Sequence, residues 1–469
     1  MMRSLLQVAL ATVIVGAPAT ASADAPLRLD TVLESVERSH PKLEQSQRKR
    51  EAAEGKAFSA RGGFDPKVAL KGKWAPVGYY ETAQLDASIE QATPIWGASV
   101  YAGYRLGWGN FPVYKGDLET QEYGEVRAGL DIPIWNGGPI DERRAKIATT
   151  KAGVRQAGAM LDATALELQR AAAEKYWKWV AAGRQLAIAE ALLELARERQ
   201  KALDAQVDAG AIESIKKVDN QRLVLSRETK VVSARQKLEE AAIELSLYYR
   251  DADRRPIRPD EDQVPERLPE PRRPGSGELQ RAVDDALSRR PEFEALDAER
   301  EAANVEVRLA KNQRSPDASV QTFVAKDLGS DEPELNPTEF GVGFVLSIPI
   351  PLRKARGALR EAKADLAGIN AKLRGLRDKV EADVRKAHVA LVAAHKSWDL
   401  ARRQAEAAET LADAERRKFR EGATDLVVVN LRELAVASAQ SEVVDAAADY
   451  QRARADFRAA AGRSPIDDG

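Results

Sequence analysis

Residues 340–359 read FGVGFVLSIPIPLRKARGAL. Successive side chains of an extended strand point to opposite faces. Phe340, Val342, Phe344, Leu346, Ile348 and Ile350 therefore share one face, and Gly341, Gly343, Val345 and Ser347 the other. An earlier stretch repeats the pattern, with Val126, Ala128, Leu130, Ile132 and Ile134 against Glu125, Arg127, Gly129 and Asp131. A strand apolar on one side and small or polar on the other suits the wall of a water-filled membrane barrel. It also suits a half-buried strand in a soluble sandwich. Eleven aromatics crowd the region: Trp74, Tyr79, Tyr80, Trp96, Tyr101, Tyr104, Trp108, Phe111, Tyr114, Tyr123 and Trp135. Such crowding fits an aromatic girdle at a bilayer interface, and equally an ordinary β core.

Working outward, both strands prove to be copies of one unit. Pro41 and Pro66 recur as Pro291 and Pro316, offset by 250. Ile132–Trp135 (IPIW) recurs at Ile348–Pro351 (IPIP), offset by 216, and Gly210 recurs as Gly422, offset by 212. Anchors kept in order mark an internal duplication. The fall from 250 to 216 leaves 34 extra residues between Pro66 and Pro133, expected to enlarge a loop or plug a barrel mouth. The first repeat is placed at 24–250 and the second at 278–469. Between them, 251–277 holds six prolines, which precludes helix and predicts an extended linker.

Each repeat is expected to run helix, strands, long helix, glycine turn, helix. At 366, 369, 373, 376, 380, 387, 391, 394, 398, 401, 405, 408 and 412 stand mostly Leu, Ile, Val and Ala, in a 3-4 rhythm broken only at Asp383. The first repeat shows the same rhythm from Ala165 to Val207, with misses at Lys175 and Gln200. A sustained period of 3.5 predicts coiled-coil packing. Helices are expected over 139–208 and 352–420, each about 100 Å long at 1.5 Å per residue, with Pro139 at a first helical position. Shorter helices are expected near 29–62, 212–250, 279–313 and 426–461. Strands are expected at 67–74, 124–133, 318–326 and 340–349, with possible extras at 84–90 and 98–108. Four to six strands fall short of the eight of the smallest membrane barrels. Because open edges cannot face lipid, several chains must share one barrel.

Composition excludes other classes. With 72 Lys+Arg against 73 Asp+Glu and no cysteine, there is no disulfide framework, no thiolate site and no basic excess for nucleic acid. His388 and His395 lie seven residues apart, about 10 Å along a helix, too far to share a metal ion. No P-loop, GxSxG or dinucleotide fingerprint is present, so neither catalysis nor a cofactor is expected. At the start, Arg3, the apolar run Leu5–Val15 and Ala21-Ser22-Ala23 predict a cleaved export signal over 1–23.

The duplicated layout, the IPIWNGG and IPIPLRKA strand-to-helix junctions at Pro133 and Pro349, and the turn motifs VDAGAIE and FREGATDLV together resemble the TolC-like outer-membrane efflux family. The resemblance spans essentially the whole mature chain. It implies a mainly α protein with membrane β: a long α-helical coiled-coil barrel continuous with a transmembrane β-barrel shared by a homotrimer, twelve strands in all. It further implies a passive export duct in the outer membrane of a Gram-negative cell, set among outer-membrane lipid, its helices in the periplasm. The implied partners are a periplasmic adaptor and an inner-membrane pump of RND or ABC type, in tripartite efflux or type I secretion. Adaptor docking would fall on the helix tips at Gly210 and Gly422, though a plain helix-ending glycine explains both residues as well. The resemblance places the pore constriction at Phe419, Lys216 and Asp425; packing of Phe419 against its own hairpin is the alternative. Where relatives carry acids, this chain has Lys216, Lys217 and Val428, with Glu213, Asp219 and Asp425 nearby. A periplasmic coiled-coil adaptor or scaffold without a channel is the competing reading, although such proteins do not usually duplicate the whole unit.

Overall fold

The computed structural model describes residues 25–112, 118–330, 335 and 337–466; the export signal read at 1–23 and Tyr114 lie outside them. In chain order the elements are α1 (Leu29–Ser39), α2 (Pro41–Arg61), β1 (Lys67–Ala75), β2 (Thr82–Ala92), β3 (Ser99–Gly109), β4 (Glu125–Trp135), α3 (Glu142–Asp208) and α4 (Ser214–Ser246). After the proline-rich stretch come α5 (Glu278–Arg289), α6 (Pro291–Asn312), β5 (Asp317–Asp327), β6 (Glu339–Ser347), α7 (Arg353–Arg420) and α8 (Leu426–Ala460).

Three boundaries differ from expectation, each for a local reason. The opening helix of each repeat is broken, at His40 and at Arg290, because a following proline drives its predecessor out of the helical region; both residues have ψ of 125°. At the first break the His40 ring caps α2, its Nδ1 accepting from Lys42 N at 3.2 Å. The third boundary is the start of α3. It begins at Glu142 rather than Pro139, because Asp141 Oδ1 accepts from Arg144 N at 2.8 Å and so caps the helix.

The chain divides into two compact units that cut across the repeats. One takes residues up to Ser35, Ala172–Pro271 and His395–Gln451; the other takes Val36–Ala171, Arg272–Ala394 and residues from Arg452 on. In the first unit Trp179, Val180, Leu186 and Leu245 are fully buried. The proline-rich linker is docked there rather than free. Leu27 N donates to Gln263 O at 2.8 Å, and Gln451 Nε2 donates to Pro269 O at 3.0 Å. Val264 presses so closely on Gly183 that a Cβ there would lie 2.6 Å from its methyls.

The second unit holds the sheet. Its order is β1-β2-β3-β4-β5-β6, and every neighbouring pair is antiparallel. The extra residues of the first repeat are therefore neither a long loop nor a plug: they build the β2–β3 hairpin. The resemblance implied four strands per chain, and the described residues form a sheet of six.

The expected helix seam is largely sound. Every position in the second-repeat series is buried or half-buried, and Ala407, off the seam, is exposed. The break at Asp383 is a slip of one residue, because Val384 takes the buried place. In the first repeat, Lys175 interrupts the seam but meets Glu244 at 3.1 Å.

Candidate functional site

The sheet has two chemically different faces. Register places Leu70, Ala87, Tyr104, Val126, Val324 and Phe340 on one side. With most of their i±2 neighbours they form an apolar surface, interrupted at Thr322 and Lys326 of β5, that reaches both edge strands, where Val68, Leu70, Trp74, Phe340, Val342 and Phe344 are all exposed. Strands of 9 and 11 residues match the length needed to cross a bilayer at a tilt. Exposed Trp74, Tyr79, Trp108 and Tyr123 stand at the loop ends of the strands, and exposed Trp96 and Trp135 at the ends nearest the helices. That distribution is a pair of aromatic girdles.

The opposite face is polar. Lys71, Asp86, Arg105 and Glu125 stand directly opposite one another across four strands, signs alternating, as cross-strand pairs prefer. Arg105 Nε donates to Asp86 Oδ1 at 2.7 Å, and Arg127 Nε to Glu125 Oε1 at 2.6 Å. Arg127 also lies 4.5 Å over the Phe323 ring. That ring rests on Gly341, where a Cβ would come within 2.1 Å of it. Glycine is required there so that an aromatic can lie flat on the polar face. Among the described residues no helix is long and apolar enough to cross a membrane.

The two proline junctions are not equivalent. Pro133 lies inside β4, beside an irregularity in the register between Pro133 and Trp135, where its missing N–H costs no ladder bond. Pro349 lies beyond the end of β6.

The helix tips are built alike. Gly210 and Gly422 have φ of +70° and +72°. Gly210 N donates to Val207 O at 2.9 Å and Ala211 N to Gln206 O at 2.9 Å; Gly422 N donates to Phe419 O at 3.0 Å and Ala423 N to Lys418 O at 2.8 Å. Both are Schellman ends, which need a left-handed residue and so favour glycine. The tips meet through Lys216 Nζ and Asp425 Oδ1, 3.6 Å apart, while Lys217 pairs with Asp204 at 3.1 Å. Two of the three residues assigned to the constriction are thus brought together, by an ion pair with both partners exposed. The third, Phe419, is 41% exposed within its own chain, so its hairpin does not enclose it. At the second tip the Thr424 hydroxyl, aided by Lys418, holds the Glu415 carboxyl below its ordinary range.

One cluster escaped the sequence reading. Glu433 on α8 is 2% exposed and meets Arg199 of α3 at 2.6 Å, Arg227 of α4 at 3.4 Å and Arg416 of α7 at 3.9 Å. Arg227 is itself buried and donates through Nη1 to Leu192 O at 2.7 Å. Burial lowers its pKa, and Glu433 offsets part of that. Four helices are tied through one carboxylate. The signal available was a lone acid in the apolar run Leu426–Ala437.

An apolar-faced meander of bilayer-spanning length joined to long coiled-coil helices defines a membrane β-barrel channel protein with a helical extension. A family model described as outer membrane efflux protein matches residues 32–249 and 282–463, and the chain belongs to that family. Among solved structures, the outer-membrane channel OprN is similar at TM-score 0.65 and 18% identity, over 95% of this chain and 96% of that one. The open state of the Neisseria gonorrhoeae MtrE outer membrane channel is similar at TM-score 0.65 and 16% identity, over 94% and 91%. The Campylobacter jejuni CmeC outer membrane channel follows at 0.62 and 14%, over 94% and 87%. At these identities the likeness establishes the fold. No curated protein sequence matches.

Proposed function

We propose that the chain is a passive homotrimeric export duct, set in the outer membrane with its helices in the periplasm. In this reading the helix tips around Gly210 and Gly422 dock on a periplasmic adaptor. An inner-membrane pump of RND or ABC type supplies the energy, in tripartite efflux or type I secretion. The observation that carries the reading is the sheet: one apolar face reaching both of its edges, backed by a polar face of alternating charge. Such a sheet cannot end in lipid, since an unpaired backbone group there costs several kcal/mol. Closure by further copies satisfies it. The aqueous lumen is then lined by Lys71, Asp86, Arg105 and Glu125. Fractionation tests the placement: a duct stays with outer membranes after high-salt washing, and release into the wash would refute it.

A further inference from the structure

We infer that the β2–β3 hairpin is an insertion in the barrel wall, and that three copies of this six-stranded chain close an eighteen-stranded barrel, β6 of each pairing antiparallel with β1 of the next. The inference rests on the trimer proposed above and concerns what the first repeat adds to it.

Repeat matching assigns the strands. Pro66 and Pro316, which correspond, precede β1 and β5; Pro133 and Pro349, which also correspond, mark the ends of β4 and β6. β2 and β3 have no counterpart in the second repeat. They are nevertheless full members of the sheet. β1 pairs with β2 along nine residues and β2 with β3 along eleven. Their faces continue those of their neighbours, with Leu85, Ile89 and Val100 on the apolar side and Asp86, Glu90 and Arg105 on the polar side. A hairpin keeps the up-down alternation, so it lengthens the wall by two strands without disturbing either edge.

β1 carries Lys67, Lys71 and Lys73 on the polar face, and the opposite edge strand, β6, carries Glu339 there. Each edge strand is nine residues long. Opposite Lys71, when the strand ends are aligned, stands Gly343, where an added Cβ would meet nothing nearer than 3.8 Å; there is room for a neighbour's lysine stem. Barrels of eight strands are filled by their own side chains, whereas those of 16–18 enclose an aqueous channel. The restriction in this duct therefore lies in the helical part and not in the barrel.

The chain has no native cysteine, so single cysteines report cleanly. Ser88 and Ile89 are neighbours on opposite faces of β2. In outer-membrane vesicles Ser88→Cys should react with a water-soluble maleimide, and Ile89→Cys only with one that partitions into the bilayer. Equal reaction of both with the water-soluble reagent would remove the hairpin from the wall and leave the trimer untouched. Separately, Ala69→Cys is paired with Gly343→Cys, Val345→Cys or Ser347→Cys and oxidised. At least one pair should give a covalent ladder that stops at three chains. A ladder stopping at two chains would mean twelve strands and overturn the count; no intermolecular bond in any pair would overturn the shared barrel itself.

Discussion

Phe419 and Glu433 lie near the same helix tips yet have opposite environments. Phe419 is partly exposed within its own chain, so truncation removes little packing. Three copies around an axis would form a narrow apolar ring. Phe419→Ala is expected to raise single-channel conductance in planar bilayers while leaving the melting temperature nearly unchanged. A large melting loss with unaltered conductance would assign the ring to the hairpin core instead. Glu433 is buried among three arginines. Removing one partner of a buried ion pair strands the other charges and costs about 3–5 kcal/mol. Glu433→Ala should therefore lower stability by that order in chemical denaturation. Glu433→Gln, which retains an acceptor, should lose less.

At the scale of elements, the alanine-rich seam of α7 and the turn after it are the informative pieces. Ala405 lies on the seam and Ala407 is exposed. Overpacking a close contact costs about 1–3 kcal/mol. Ala405→Leu should lower the melting temperature and Ala407→Leu should not; equal shifts would remove the register. The α7–α8 turn carries a pH dependence whose sign follows from Glu415. Its folded pKa is depressed by Thr424 and Lys418. The stabilisation is therefore present above the unfolded value of about 4.3 and is lost as pH falls through the lower folded value. Amide exchange over residues 421–425, corrected for its intrinsic pH dependence, should quicken as pH falls below the ordinary carboxylate range. In Glu415→Gln that step should be absent.

For the whole molecule, oligomeric state is the decisive measurement. The described residues of one chain supply six strands and leave the two edges of that sheet open, which water tolerates and lipid does not. Mass measured in mild detergent should correspond to three mature chains. A monodisperse monomer with native β signal would sink the architecture. The Lys216–Asp425 pair adds a functional expectation. With its nearest acid engaged by a lysine, the tunnel mouth should show weaker block by divalent cations than a ring of free carboxylates. Strong micromolar block abolished by Asp425→Asn would show that an acidic gate survives there.

The helix seams, the two glycine turns and the strand alternation were all legible in the residues themselves. Each is a periodic or stereochemical signal: 3.5 for a seam, 2 for a strand, φ > 0 for a helix end. Those signals are local, so they held at Gly210, Gly422, Ala405 and Phe344. What they left open depends on partners distant in the chain. Whether 84–90 and 98–108 were strands turned on their pairing with β1 and β4, since short alternating runs without neighbours are ambiguous. The linker's docking depended on Val264 meeting Gly183, and the gathering of Arg199, Arg227 and Arg416 around Glu433 depended on four helices converging. A charge in an amphipathic helix looks solvated until the packing around it is known, and only the tertiary structure supplies the desolvation that makes Glu433 a brace.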